Sequence, residues 1–155
     1  KYDEGKLGVP KEKVKDFYQF NYDEAVRSIA ELKLDLIDKK LASGLFGQER
    51  GDGLSSILQN IYQTFGGKEL YGSVEEKAAH FLYFVIKDHP FTDGNKRIGS
   101  LLFIMFLLRH NYIFKENGER KINDNTMVAL ALLIAESDPM QKGVMVNLVM
   151  NLIKK

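Results

Sequence analysis

The chain has no cysteine and no tryptophan, only three prolines, and almost no excess of either charge. Without cysteine there is no disulfide, no thiolate metal site and no cysteine nucleophile, and a reducing cytoplasm is compatible with the composition. Three prolines in 155 residues leave long stretches free to be helical. Lys and Arg total 22 against 21 for Asp and Glu, a net charge of +1, so no bulk field draws the protein to nucleic acid or to a membrane. The longest apolar run, "LLFIMFLL" at 101–108, spans roughly 12 Å as helix, far short of the ~20 residues a membrane crossing needs. No signal peptide is visible, and the opening "KYDEGKLG" lacks Met, which reads as a segment of a longer protein. The expectation is one domain, cytoplasmic, with residues 1–20 as a lead-in or linker and 21–155 as the folded unit.

Hydrophobic periodicity supplies the frame. In 22–42, Ala25, Ile29, Leu32, Leu36 and Ile37 fall on one stripe opposite charges, predicting an amphipathic helix capped by Asn21 or Asp23. "ASGLFGQERGDGLSS" carries four glycines and reads as a connection. In "NIYQTFGGKELYGS" (60–73), Ile61, Tyr62, Thr64 and Phe65 favour strand and Gly66-Gly67 is a two-residue turn signal, predicting a short β-hairpin resting on helices. Ser73 with Glu76 opens a capping box for a helix through Lys87, with Ala78, Leu82, Val85 and Ile86 at helical spacing. A helix from Asn95 to about Arg109 is apolar nearly all round, which predicts the buried centre of a bundle. Asn123–Asn125 opens another helix, closed by Asp138-Pro139, and the last, near 140–153, carries Val144, Leu148, Val149 and Leu152. The fold class expected is all-α, mainly a helical bundle, with one short β-hairpin.

Between the two central helices lies "DHPFTDGNKRIGS", residues 88–100. His89 ends one helix, and Gly94, Asn95, Lys96 and Arg97 open the next. A helix N-terminus presents unpaired N–H groups and partial positive charge, which together attract anions. Gly94 lets the backbone come close to a ligand, Arg97 can fork onto phosphate oxygens, and Asn95 can add a side-chain donor. Asp93 offers a hard oxygen suited to Mg²⁺ that itself holds phosphates, and His89 is a candidate general base on the same loop. Each residue also has a structural reading: a histidine as a favourable charge at a helix C-terminus, Asp-Gly as a turn pair, Lys96 and Arg97 as a solvated face. The joint arrangement favours phosphoryl-type chemistry, because the separate structural explanations would all have to hold at once. His80 and His110 have no second ligand at metal spacing and read as structural.

"HPFTDGNKR" resembles the signature of the Fic (Fido) family, H-P-F-x-[D/E]-G-N-[G/K]-R-x-x-R, which specifies eight of the nine positions from His89 to Arg97. The resemblance extends over about residues 20–155 and implies a Fic-like bundle with a hairpin flap. It implies transfer of AMP from ATP, with Mg²⁺, to a Tyr, Ser or Thr hydroxyl of a target protein. It further implies His89 as the base, Asp93 as the metal ligand, and Gly94, Asn95, Lys96 and Arg97 as the nucleotide-phosphate cradle. Thr64, Phe65, Gly66, Gly67 and Lys68 would then form a flap that docks the target by strand addition; a structural hairpin is the alternative. Two departures stand out. Lys96 occupies a place often held by Gly in adenylyl-transferring members and shared with the death-on-curing (Doc) branch, which resembles a protein kinase using the γ-phosphate; that branch, however, typically has Ala where this chain has Gly94. Ser100 replaces a second Arg that steadies the γ-phosphate, and no inhibitory [S/T]-x-x-x-E-[G/N] helix is present: "SSILQN" (55–60) has Gln59 in place of Glu. Inhibition would therefore come from another element, or from an antitoxin in trans. A Doc-like kinase and a non-catalytic Fic-fold interaction module are the alternatives to the AMP transferase.

Overall fold

The computed structural model describes residues 19–155; most of the expected lead-in, residues 1–18, lies outside the described residues. Six α-helices and one two-stranded hairpin follow in order: α1 (Tyr22–Asp38), α2 (Gly53–Tyr62), β1 (Thr64–Phe65), β2 (Lys68–Glu69), α3 (Val74–Asp88), α4 (Asn95–Arg109), α5 (Asp124–Glu136), a 3₁₀ turn (Pro139–Gln141) and α6 (Lys142–Ile153). The fold is all-α with a hairpin, as the periodicity predicts.

The helix starts are set by side-chain caps. Asn21 Oδ1 accepts from the Glu24 amide at 2.9 Å, Ser73 Oγ from Glu76 at 3.1 Å, and Asn123 Oδ1 from Thr126 at 2.8 Å. α1 stops at Asp38, four residues before the predicted end, where Lys40 turns to a φ of 60°. Ile37 is accordingly exposed rather than on the buried stripe.

The main departure from the sequence reading is α2. Its buried residues Leu54, Ile57, Leu58 and Ile61 lie at i, i+3, i+4 and i+7, a helical stripe that the glycine-rich start and the β-prone Ile61-Tyr62 divide between a supposed loop and a supposed strand. The tertiary context decides in favour of helix because that stripe packs on α3.

α3 is the hub, packing against α2, α4, α5 and α6, while α1 and α5 cover α4. The centre is therefore a pair, α3 with α4, rather than α4 alone. They approach closely at Gly99, where an added Cβ would meet Ile86 Cγ1 at 3.1 Å. Phe20, Phe81 and Phe106 are buried around this contact, with Phe81 and Phe106 ring centroids 5.7 Å apart. On α6 the buried residues are Met145, Val146, Val149 and Ile153, and Val144 faces solvent. Lys87, in the last turn of α3, donates to Ser137 O at 2.6 Å, so its charge sits on the carbonyl end of α5 and ties the two helix ends together. Among the described residues no helix is long and apolar enough to cross a membrane.

Candidate active site

The loop joining α3 to α4 is held from both sides. Along one edge it pairs with the segment just before α2: Gly47 N donates to Asp93 O at 3.1 Å, Thr92 N to Gln48 O at 2.8 Å, and Arg50 N to Pro90 O at 2.8 Å. From beneath it is held by Phe91, whose ring is 1% exposed. Asn95, in the first turn of α4, closes the loop on itself: its Oδ1 accepts from Phe91 N at 3.0 Å and its Nδ2 donates to Phe91 O at 2.9 Å. The amide thus holds the Phe91 backbone with its oxygen and one Nδ2 hydrogen, which leaves the second Nδ2 hydrogen and the main-chain N–H for a ligand.

His89 takes the C-cap position of α3 in the left-handed region, φ 52° and ψ 60°. A non-glycine residue rarely adopts that conformation, and it holds only where the surrounding structure imposes it. Here the imposing contacts are Pro90, buried beneath the loop, and the Arg50–Pro90 pairing. The imidazole is exposed and makes no hydrogen bond among the described residues. The neighbouring Asp88 has its carboxyl pushed above the ordinary range, first by burial, with Lys142 and His89 opposing the shift.

Gly94 is the N-cap of α4 with φ 92°. A Cβ there would stand 2.4 Å from the Phe46 ring, so backbone conformation and space both require glycine. The alanine typical of the Doc branch has no room at this position. The first intrahelical acceptor is Gly94 O, which takes the Ile98 N–H at 2.8 Å, so the amides of Asn95, Lys96 and Arg97 have no partner along the helix. They open on a hollow of about 370 Å³ lined by His89, Thr92, Asp93 and Gly94 through Arg97. Arg97 stands at its edge, with Nη1 donating to Leu41 O at 2.8 Å and the guanidinium 4.7 Å above the Phe46 ring. Lys96 is exposed. Ser100 donates its hydroxyl to Lys96 O at 2.9 Å.

Asp93 is half-buried, its carboxylate has no hydrogen bond or ion pair among the described residues, and it lines the same hollow. Among those residues no group of three or more His, Asp or Glu forms a ready-made metal cage. One hard oxygen beside an anion cradle fits Mg²⁺, which keeps water and phosphate oxygens for most of its shell.

Two further hollows flank the cradle. One, of about 450 Å³, shares His89 and runs between α2 and α3. The other, of about 350 Å³ and almost wholly apolar, shares Lys96, Arg97 and Ser100 and is walled by leucines of α1, α4 and α5.

The hairpin is not part of this assembly. Gly53, at the start of α2, abuts Pro90, whereas Tyr62, at the end of α2, bonds His110 beyond the C-terminus of α4. Glu69 of β2 pairs with Lys77 in the first turn of α3 at 3.1 Å. The hairpin thus springs from the opposite end of the α3–α4 pair, roughly 20 Å along 15-residue helices from His89, and its two-residue strands cannot span that distance. Thr64, Phe65, Gly66, Gly67 and Lys68 are all exposed there, and their expected flap role over His89 is corrected. The strand-like edge beside the loop is 47–50.

The Fic/DOC family model matches residues 19–107, more than half of the chain, including the whole loop, all of α3 and most of α4. The chain belongs to the Fic/DOC family. No curated protein and no solved structure matches it. Two features of this Fic/DOC site carry no local sequence signal. Phe46 lies far in sequence from the glycine it constrains, and the 47–50 edge is hidden in a glycine-rich connection. The hollow between α2 and α3 was not legible, because residues 53–62 read as a connection and a strand rather than as the helix that walls it.

Proposed function

We propose that the protein transfers AMP from ATP to a hydroxyl of a target protein. The observation that carries this reading is the convergence, on one hollow, of an unpartnered imidazole, an unpartnered carboxylate and three free helix-N-terminal amides. The amides and Lys96 hold phosphate oxygens, and the positive end of α4 stabilises charge that builds on them during transfer. Asp93 is the residue to hold Mg²⁺, which supplies charge neutralisation at the phosphates. His89 accepts the hydroxyl proton as the acceptor oxygen bonds to the α-phosphorus. The bond from that phosphorus to the bridging oxygen breaks, and pyrophosphate leaves with the electron pair toward Lys96 and Arg97. The 47–50 edge, adjoining the loop through its own backbone pairing, takes the docking role first expected of the hairpin.

One observation favours transfer of the γ-phosphate instead. Ser100, standing where a second arginine would hold the far end of the triphosphate, leaves an apolar hollow beside Lys96 that can receive a base. Intact-mass measurement of the chain itself and of added protein acceptors after incubation with Mg-ATP separates the two: an adenylyl-sized increment is expected, a phosphate-sized one selects the second reading, and none on any protein refutes both. His89→Ala is expected to lower transfer at least ~100-fold while leaving ATP affinity within about threefold, because the cradle is built from other residues. Equal loss of both would assign His89 to binding rather than proton transfer.

A further inference from the structure

We infer that the trough between α2 and α3 is the acceptor pocket, and that it selects a tyrosyl hydroxyl over a seryl or threonyl one. The inference rests on the group-transfer reading but not on which phosphorus is attacked. In phosphoryl-type transfer the attacking and leaving oxygens lie roughly in line on opposite sides of the phosphorus. The leaving polyphosphate carries negative charge, and Lys96 and Arg97 line the cradle and the apolar hollow but not the trough, whose own cation, Arg50, is turned onto the His89 carbonyl at 3.4 Å. The attacking oxygen therefore arrives from the other side, where His89 is the shared wall between the cradle and the trough.

The trough has the shape of a slot for a long side chain. Gly53 fixes its near end against Pro90. Asn60 lies seven residues further along α2, roughly 10 Å from that end by helical rise. Phe84 and Ile57 supply apolar walls, and its volume is about 450 Å³. A tyrosyl oxygen sits roughly 6.5 Å from its own Cα and a seryl oxygen only roughly 2.4 Å by covalent geometry. With the hydroxyl at His89, a tyrosine lies along the trough with its ring on Phe84 and its backbone toward Asn60. A serine or threonine whose hydroxyl reaches His89 leaves that length empty, together with the contacts it offers. The far end also carries an unmet need: Asn60 Oδ1 is buried with no donor. Rotation of that amide presents the oxygen to the trough, where the backbone N–H of an acceptor residue satisfies it. The reaction balances as above, with the phenolic oxygen forming the new bond to phosphorus and its proton passing to His89.

The test uses the full chain with Mg-ATP and three probes at equal concentration: N-acetyltyrosinamide, N-acetylthreoninamide and N-acetylserinamide. Products are read by mass and ATP consumption is followed separately. Transfer to the tyrosine probe is expected to exceed transfer to the other two by at least ~10-fold. Ser56→Trp, a change at an exposed position of α2, is expected to fill the trough and abolish that preference while ATP affinity stays at the wild-type value. Asn60→Ala is expected to raise the KM for the tyrosine probe about fivefold with kcat little changed. Equal use of the three probes, no transfer to any of them despite ATP binding, or undiminished tyrosine transfer by Ser56→Trp would each overturn the pocket assignment and leave the transfer reading standing. Failure of the wild-type chain to bind ATP would overturn both.

Discussion

Asn95 shows how a residue inside a sequence motif can hold the backbone of its own loop. An asparagine at the first turn of a helix beside a phosphate cradle invites a ligand role, yet its side chain bridges both polar groups of Phe91 and thereby sets the curvature of the loop that carries His89. Asn95→Ala leaves the Phe91 N–H and C=O without partners in a buried place, which costs roughly 2–4 kcal/mol of stability. The loss is expected in urea unfolding without any nucleotide present. Wild-type stability combined with weakened ATP binding would instead make the side chain a phosphate ligand. Gly94 is the complementary case, legible from the sequence as a turn glycine, although the Phe46 ring that forbids any Cβ is visible only in three dimensions.

At the scale of elements, the segment beside the loop is 47–50 and not the hairpin. β-propensity, a Gly-Gly turn and position upstream of the motif all point to the hairpin, and it forms about the Gly66-Gly67 turn but shorter than predicted, because Ile61 and Tyr62 belong to α2. Its distance from His89 depends on α2 being a helix, since ten helical residues carry the chain roughly 15 Å along the bundle before the hairpin begins. Phe65, 65% exposed at the hairpin, is therefore dispensable: Phe65→Ser is expected to change transfer to N-acetyltyrosinamide by less than twofold, and a tenfold drop would restore the flap role. The same end of the molecule contains a polar network of structural purpose. Tyr62 Oη accepts from Phe20 N at 2.9 Å and is hydrogen-bonded to His110 Nε2 at 2.8 Å, and with a neutral imidazole protonated at Nδ1 the hydroxyl is the donor. Burial pushes the His110 imidazole down to about 4, with Lys77 and Arg109 acting in the same direction and Glu69 opposing. Its contribution to stability is complete above the unfolded value of 6.5 and is lost as pH falls toward 4, because the unfolded chain takes up a proton that the folded chain refuses. The urea midpoint of the wild type is expected to fall between pH 7 and pH 5 by more than that of His110→Gln, which keeps an acceptor for Tyr62 but does not titrate. Parallel slopes would remove His110 from that role.

For the molecule as a whole, the site depends on how the α3–α4 pair is clamped by the elements around it. α1 is fastened to the C-terminal end of α4 by the Glu24–Arg109 ion pair, and the Glu24 side chain is only 15% exposed. Arg109→Met strands that carboxylate in a poorly solvated place and is expected to cost roughly 2–3 kcal/mol. Adding Glu24→Met should recover most of the loss, since the penalty lies in the unpaired charge more than in the missing attraction. A double variant no more stable than the single one would show that Arg109 acts through packing of its stem. Because α1 also leads to Leu41, whose carbonyl holds Arg97, loosening this clamp should weaken nucleotide binding as well.

By itself the sequence determined the helical class, the placement of most helices and the loop between the two central ones, since these follow from short-range periodicity, caps and the adjacency of residues 89–97. Only the tertiary structure decided that 53–62 is a helix, which segment lies beside the loop, which side chains hold it and where hollows open around it. Those outcomes depend on contacts between residues far apart in the chain, such as Phe46 with Gly94 and Gly53 with Pro90, and no local pattern of side chains encodes such a contact.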